Sequence, residues 1–237
     1  MSDSPPSIKN SIYIAAGFIL LIWAIKLAEV VFALDLHVFG VYPRHTQGLF
    51  GILSAPLVHG SWQHLMGNSA PLLLLGAALI FGYPKSRWWT LALVWLLSGA
   101  GVWLMGRESF HFGASGLTHG MFFFLLISGI LRRDRRSAAL LMLAFFMYSG
   151  MLMSIFPGKP GISFESHLFG ALAGVICAVL FRHWDPKPEQ KRYPWQKSPD
   201  DPSSYAEEED PIIGDQWKLA TEATTQPSHD ESVITPR

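Results

Sequence analysis

Residues 11–34 read SIYIAAGFILLIWAIKLAEVVFAL, and how this stretch is understood decides what kind of molecule the remainder can be. Its first fifteen residues, 11–25, carry no charge, a length that would suit the apolar region of a secretory signal peptide. Against that, the segment before it is weakly basic, with Lys9 its one lysine or arginine, and apolar character continues past Lys26 as far as Leu36. No clear small-residue cleavage pattern follows. At about 1.5 Å per residue, such a helix covers the roughly 30 Å of a bilayer's hydrocarbon core. The stretch is therefore read as a retained membrane helix. Lys26 and Glu29, spaced i, i+3, fall on one face and are expected to pair, as a structural ion pair rather than a transport element.

Five further stretches have the same character: 64–83, 88–106, 113–131, 138–157 and 162–181. Each is long and apolar enough to be expected as a membrane-crossing helix. The expectation is an all-α membrane protein: a short N-terminus over 1–10, a six-helix domain over 11–184, and a tail over 185–237. Composition supports the division. The 237-residue chain is 50% hydrophobic, 15% charged and formally neutral, yet residues 185–237 hold 12 acids against 6 bases. The preceding 184 residues therefore carry the compensating positive charge. So apolar a body excludes an ordinary soluble domain, and Cys177, the single cysteine, excludes a fold stapled by internal disulfides. The tail, with five prolines from Pro186 to Pro202 and the run EEED at 207–210, cannot bury a core and is expected to be disordered.

Charge also sets orientation. With six crossings both termini share a side, and Lys9, Lys85, Arg87, Arg132, Arg133, Arg135, Arg136 and Arg182 fall on it. Arg44, Arg107 and Lys159 fall on the other. The excess of lysine and arginine predicts that both termini are cytoplasmic and that loops 37–63, 107–112 and 158–161 face outward.

Seven of the nine histidines (His37, His45, His59, His64, His111, His119, His167) then map to the outer loops or outer helix halves. Polar groups are costly inside a membrane, so such a gathering marks a candidate functional site. The second segment opens HGSWQHLMGNSAP (59–71), which puts His64 and Asn68 on one face, a turn apart, with His59 on the approach. Together they offer donors for a developing negative charge, or a structural cluster tying loop to helix. The fourth opens FHFGASGLTHGMFFF (110–124), with Ser115 flanked by Gly113 and Gly116. These glycines allow close approach to a hydroxyl beside the free N–H groups of a helix start. Gly116 with Gly120, and Gly170 with Gly174 in the sixth segment, form small-xxx-small faces that give the two helices a reason to pack. His167, near the outer end of that sixth segment, then lies at the depth of Ser115. A serine needs an adjacent base to become a nucleophile, and histidine is the usual one. No acid is available for a triad: Glu165 is two residues from His167 and Asp134 is cytoplasmic. A Ser–His dyad is expected.

At these residues the sequence resembles the rhomboid family of intramembrane serine proteases. The similarity runs over about 38–181 and rests on four motifs in order: VYPRHTQGLFGILSAPLVHG (41–60), the HxxxxHxxxN set of His59, His64 and Asn68, GASG around Ser115, and SHLFGALAG around His167. The resemblance implies a six-helix rhomboid-like bundle in a bacterial inner membrane. It implies Ser115 as nucleophile and His167 as general base. The oxyanion hole would be formed by His64, Asn68 and the Ser115 backbone N–H, with His59 organising the loop. Substrates would be single-span membrane proteins, cut near the outer face without metal or cofactor, and without a nucleic-acid partner. A mobile cap at 157–165 would admit them.

Three departures stand out. Four residues after the serine the family usually has Tyr or Phe, stacked on the catalytic histidine, and here stands His119, which either stacks or competes as base. Ser166 replaces a frequent alanine, and the first-loop Trp-Arg pair of some members is absent, with Arg44 in that region. Two other classes remain: a non-catalytic rhomboid-like protein that binds membrane clients, and a metal enzyme using the histidines. The HxxxxH spacing lacks the i, i+4 pair and glutamate of HExxH and argues against the second.

Overall fold

The computed structural model describes residues 7–158 and 162–188. The expected disordered tail lies outside the described residues from 189 onward, as does the middle of the expected cap. The described residues are helical apart from loops, with one isolated antiparallel bridge between Val41 and His111.

Helix α1 (Ile8–Val31) starts at Ser7, whose Oγ accepts the Asn10 N–H and so satisfies one of the four orphan donors of a helix start. Lys26 Nζ and Glu29 Oε1 lie 3.0 Å apart on its buried side, as the i, i+3 spacing predicts. The chain then makes 3-10 turns at His37–Phe39, Thr46–Leu49 and Ala55–Leu57 around a four-residue helix α2 (Gly51–Ser54). This connecting segment is laid on the bundle. Trp95 Nε1 donates to the Leu53 carbonyl (3.1 Å), Trp103 Nε1 to the His45 carbonyl (2.9 Å) and Arg44 Nη1 to the Gly106 carbonyl (3.0 Å).

Five longer helices follow: α3 (Trp62–Gly82), α4 (Arg87–Met105), α5 (Ser115–Arg132), α6 (Arg135–Tyr148) and α7 (Phe164–Leu180). By length and composition α1, α3, α4 and α5 can cross a membrane, and α7 is a shorter apolar helix of 17 residues. Helix α5 is the most enclosed of them, with Leu117, Met121, Phe122, Phe124 and Leu125 all buried. Its contact with α7 is made by the two small-residue faces. A Cβ at Gly170 would fall on the Gly116 carbonyl, and one at Gly174 on the Gly120 carbonyl, so the backbones touch as the spacing predicts.

The fifth segment differs from expectation. Apolarity suggested 138–157, but α6 spans Arg135–Tyr148, followed by a 3-10 turn at Ser149–Leu152. The start is set by cap chemistry rather than by hydropathy, because the Asp134 carboxylate accepts the Ser137 N–H at 3.0 Å. The end falls at Ser149–Gly150, residues poorly suited to a helix interior. Beside the start of α6, Arg132, 5% exposed, donates to the Arg182 and Asp185 carbonyls (both 3.1 Å), while the Asp185 carboxylate accepts from Ser86 Oγ at 2.6 Å. The end of α5, the start of α4 and the chain after α7 are thereby clasped together.

Candidate active site

The segment between α1 and α3 holds the start of α5 in place. The Gly113 N–H donates to the Ala55 carbonyl (2.8 Å), and the Ala114 N–H to His59 Nε2 (3.4 Å). Gly113 sits at φ +110°, a conformation L side chains rarely adopt, and a Cβ there would strike the His64 ring. Ser115 comes next, as the first residue of α5, behind an Ala114 that supplies no side-chain cap. Its N–H is one of the orphan donors of the helix start. Ser115 is half-buried and borders a cavity of about 1020 Å³, which His64, Asn68, His119, Met151 and His167 also line.

Helix α7 delivers His167. Its N-cap Ser163 accepts the Ser166 N–H at 3.2 Å, one turn before the histidine faces the cavity. His167 Nδ1 lies 2.9 Å from the Ser154 carbonyl. A carbonyl only accepts, so Nδ1 carries the proton and Nε2 keeps its lone pair. His119 lies parallel to His167, with ring centroids 3.9 Å apart and an interplanar angle of 8°. Its Nδ1 donates to the Ser115 carbonyl (2.7 Å), and its Nε2 accepts from Ser154 Oγ (2.7 Å). Both His119 nitrogens are thus engaged, and neither is paired with the Ser115 hydroxyl. Among the described residues no hydrogen bond joins Ser115 Oγ to His167; such contacts often tighten only when substrate is bound.

On the opposite wall, Asn68 Nδ2 donates one hydrogen to the His64 carbonyl one turn earlier (3.1 Å), which orients the amide and leaves its second hydrogen for the cavity. The His64 ring meets His59 edge to face at 5.1 Å. His59 is 1% exposed, and burial, then its neighbour His64, pull its pKa from 6.5 to about 4. The charge of Lys26 adds to that, while the Leu57 carbonyl opposes it. His59 is therefore a neutral acceptor, suited to holding loop and helix together.

Glu165 is turned to the loop between α4 and α5, with Arg107 Nε at 3.5 Å and His111 Nδ1 at 4.0 Å. His111 Nδ1 also lies 2.6 Å from Ser163 Oγ. Burial lowers the His111 pKa, against opposing pulls from the Arg107 carbonyl and Glu165.

The structure thus gathers Ser115, His167, His64, Asn68 and His119 on one cavity, with Gly113, Gly116 and His59 supporting them. Three partners escape a reading of the sequence. Ser154 looks like part of an apolar helix, and its only signal is its place beyond Gly150, where a helix is apt to stop. Ser163 and His111 lie in turns whose pairing no periodicity reveals.

Comparison with known proteins identifies the family. Residues 46–184 match the family model of the rhomboid domain. The chain is 37% identical over 172 residues to an uncharacterised protein of Mycobacterium tuberculosis and to one of Mycobacterium bovis, covering 69% of this chain and 72% of each relative. It is 35% identical to an uncharacterised protein of Mycobacterium leprae, covering 69% of this chain and 68% of the relative. A match across more than half of the chain, spanning every residue on the cavity, settles the kinship: the chain belongs to the rhomboid family, multi-pass membrane proteins that are typically intramembrane serine proteases.

Proposed function

We propose that this protein is an intramembrane serine endopeptidase that cuts single-span substrates near the outer membrane face by a Ser115–His167 dyad. One observation carries the proposal: His167 Nδ1 is held by the Ser154 carbonyl, which leaves Nε2 as a base on the same cavity as Ser115. In this mechanism Nε2 takes the Ser115 proton as Oγ attacks the scissile carbonyl, and His167 then returns that proton to the departing amine. The tetrahedral oxygen is met by the Ser115 N–H, the free Asn68 hydrogen and a His64 ring N–H. Water reaching the cavity hydrolyses the acyl-enzyme, and His167 serves again as base. Glycine at 113 lets the substrate backbone approach His64 and Ser115 together. The bundle crosses the membrane six times with both termini cytoplasmic, as the distribution of basic residues indicates, and the acidic tail is then a cytoplasmic appendage. None of these steps calls on a metal or cofactor.

The test is co-expression with a tagged single-span substrate, followed by labelling with a serine-directed covalent probe. Ser115→Ala is expected to end both cleavage and labelling, and His167→Ala to end cleavage. Continued cleavage by Ser115→Ala sinks the proposal. The absent Ser115–His167 hydrogen bond keeps a second reading, a client-binding rhomboid-like protein without catalysis. Client capture by wild type and Ser115→Ala alike, with no cleavage by either, would establish it.

A further inference from the structure

A second cavity, of about 610 Å³, lies away from the dyad between α1 and α4, and every residue lining it is apolar. Leu72 and Met121, both almost fully buried, form its floor. Phe18 of α1 and Trp95 of α4 meet edge to face across it at 5.8 Å. Its rim is apolar and exposed, with Ile14 at 43%, Trp88 at 44% and Leu96 at 43%. In a bilayer such a groove is faced by hydrocarbon.

The end near Trp88 is different. Arg87 opens α4, where the helix dipole is positive and Ser86 supplies no side-chain cap to that helix. Its guanidinium carbon lies 5.4 Å from the Trp88 ring centroid, and Nη1 donates to the carbonyl of Ile80, another residue lining the groove (3.1 Å). Arg87 Nε is buried with no hydrogen-bond partner, and among the described residues no carboxylate pairs with this arginine. An apolar slot that ends at an unneutralised guanidinium and an interfacial tryptophan matches one chemistry, a hydrocarbon chain bearing an anionic head.

We propose that this groove binds an acyl chain of an anionic phospholipid, with Arg87 holding the phosphate. The site is separate from the Ser115 cavity and does not depend on its catalysis.

Full-length protein in mild detergent would be equilibrated with phosphatidylglycerol or phosphatidylcholine of identical chains, and retained lipid counted by native mass spectrometry. Wild type is expected to retain phosphatidylglycerol roughly fivefold better, the preference that about 1 kcal/mol per interfacial cation gives. Arg87→Gln, which can still donate to Ile80, should reduce that preference to near unity. Ala92→Trp, which fills the groove, should retain neither lipid. Leu96→Trp, at the exposed rim, serves where Ala92→Trp fails to fold as judged by size exclusion and circular dichroism. Equal retention of the two lipids by wild type would overturn the proposal, as would unchanged retention in a folded groove-filling variant. So would a wild-type dimer that the filling variant dissolves, because the occupant would then be a second copy of the chain.

Discussion

At the scale of single residues, the telling substitution is His119, where the family usually carries an aromatic ring. Stacking on His167 at 3.9 Å preserves what a tyrosine or phenylalanine would do, while the two ring nitrogens add links to the Ser115 carbonyl and Ser154 Oγ. Because both nitrogens are occupied, we propose that His119 positions His167 rather than competing with it as base. Removing the ring should cost what an aromatic pair contributes, about 0.5–1.5 kcal/mol, or up to roughly tenfold in kcat/KM. His119→Ala is expected to lose that and His119→Phe to recover most of it, measured on one peptide substrate. Full inactivity of His119→Phe beside a labelled His119→Ala would contradict the assignment. Asn68→Ala, which removes a donor of the proposed oxyanion hole, should lower kcat by about 10²–10³ with little change in KM.

At the scale of elements, the α5–α7 contact is the joint that sets serine against histidine. Gly116 and Gly120 meet Gly170 and Gly174 with backbone against backbone, so any larger side chain must part the helices. Gly170→Leu is expected to disable cleavage and to lower the thermal midpoint in detergent, an overpacking effect of about 1–3 kcal/mol or more. An active, equally stable Gly170→Leu protein would show that the two helices have room to shift. The short α6 matters for a related reason. It stops at Tyr148, and the turns beyond it bring Ser154 within hydrogen-bonding reach of both histidines. Ser154→Ala keeps the carbonyl that orients His167 and removes only the hydroxyl bonded to His119. A modest fall in kcat is expected, with serine-probe labelling retained.

At the scale of the whole molecule, the segment before α3 is latched to the start of α5 through His59, and that latch is expected to respond to pH. The His59 pKa is depressed to about 4 from an ordinary 6.5, burial being the main cause. The folded state therefore favours the neutral ring, and the unfolded chain takes up a proton first as pH falls. His59's contribution is fully present above about pH 6.5 and is lost progressively down to pH 4, at most about 3 kcal/mol from the size of the shift. Thermal midpoints should drop between pH 7 and pH 5, and less steeply in His59→Gln, which keeps an acceptor that does not titrate. Equal slopes in the two proteins would assign the pH response elsewhere. Much of this molecule is written locally. Apolar runs of sufficient length specify where helices lie, because a bilayer leaves the backbone no other way to satisfy its hydrogen bonds. The spacing of glycines, of His64 and Asn68, and of Ser115 and His167 marked the elements that would meet, because helical periodicity converts spacing into faces. What spacing could not reveal was the length of α6, the hold of Asp185 on Ser86, the pairing of His111 with Ser163, and the bonds of Ser154 to two histidines. Those contacts join residues far apart in the chain through atoms whose direction depends on how helices pack, so only the tertiary structure decides them.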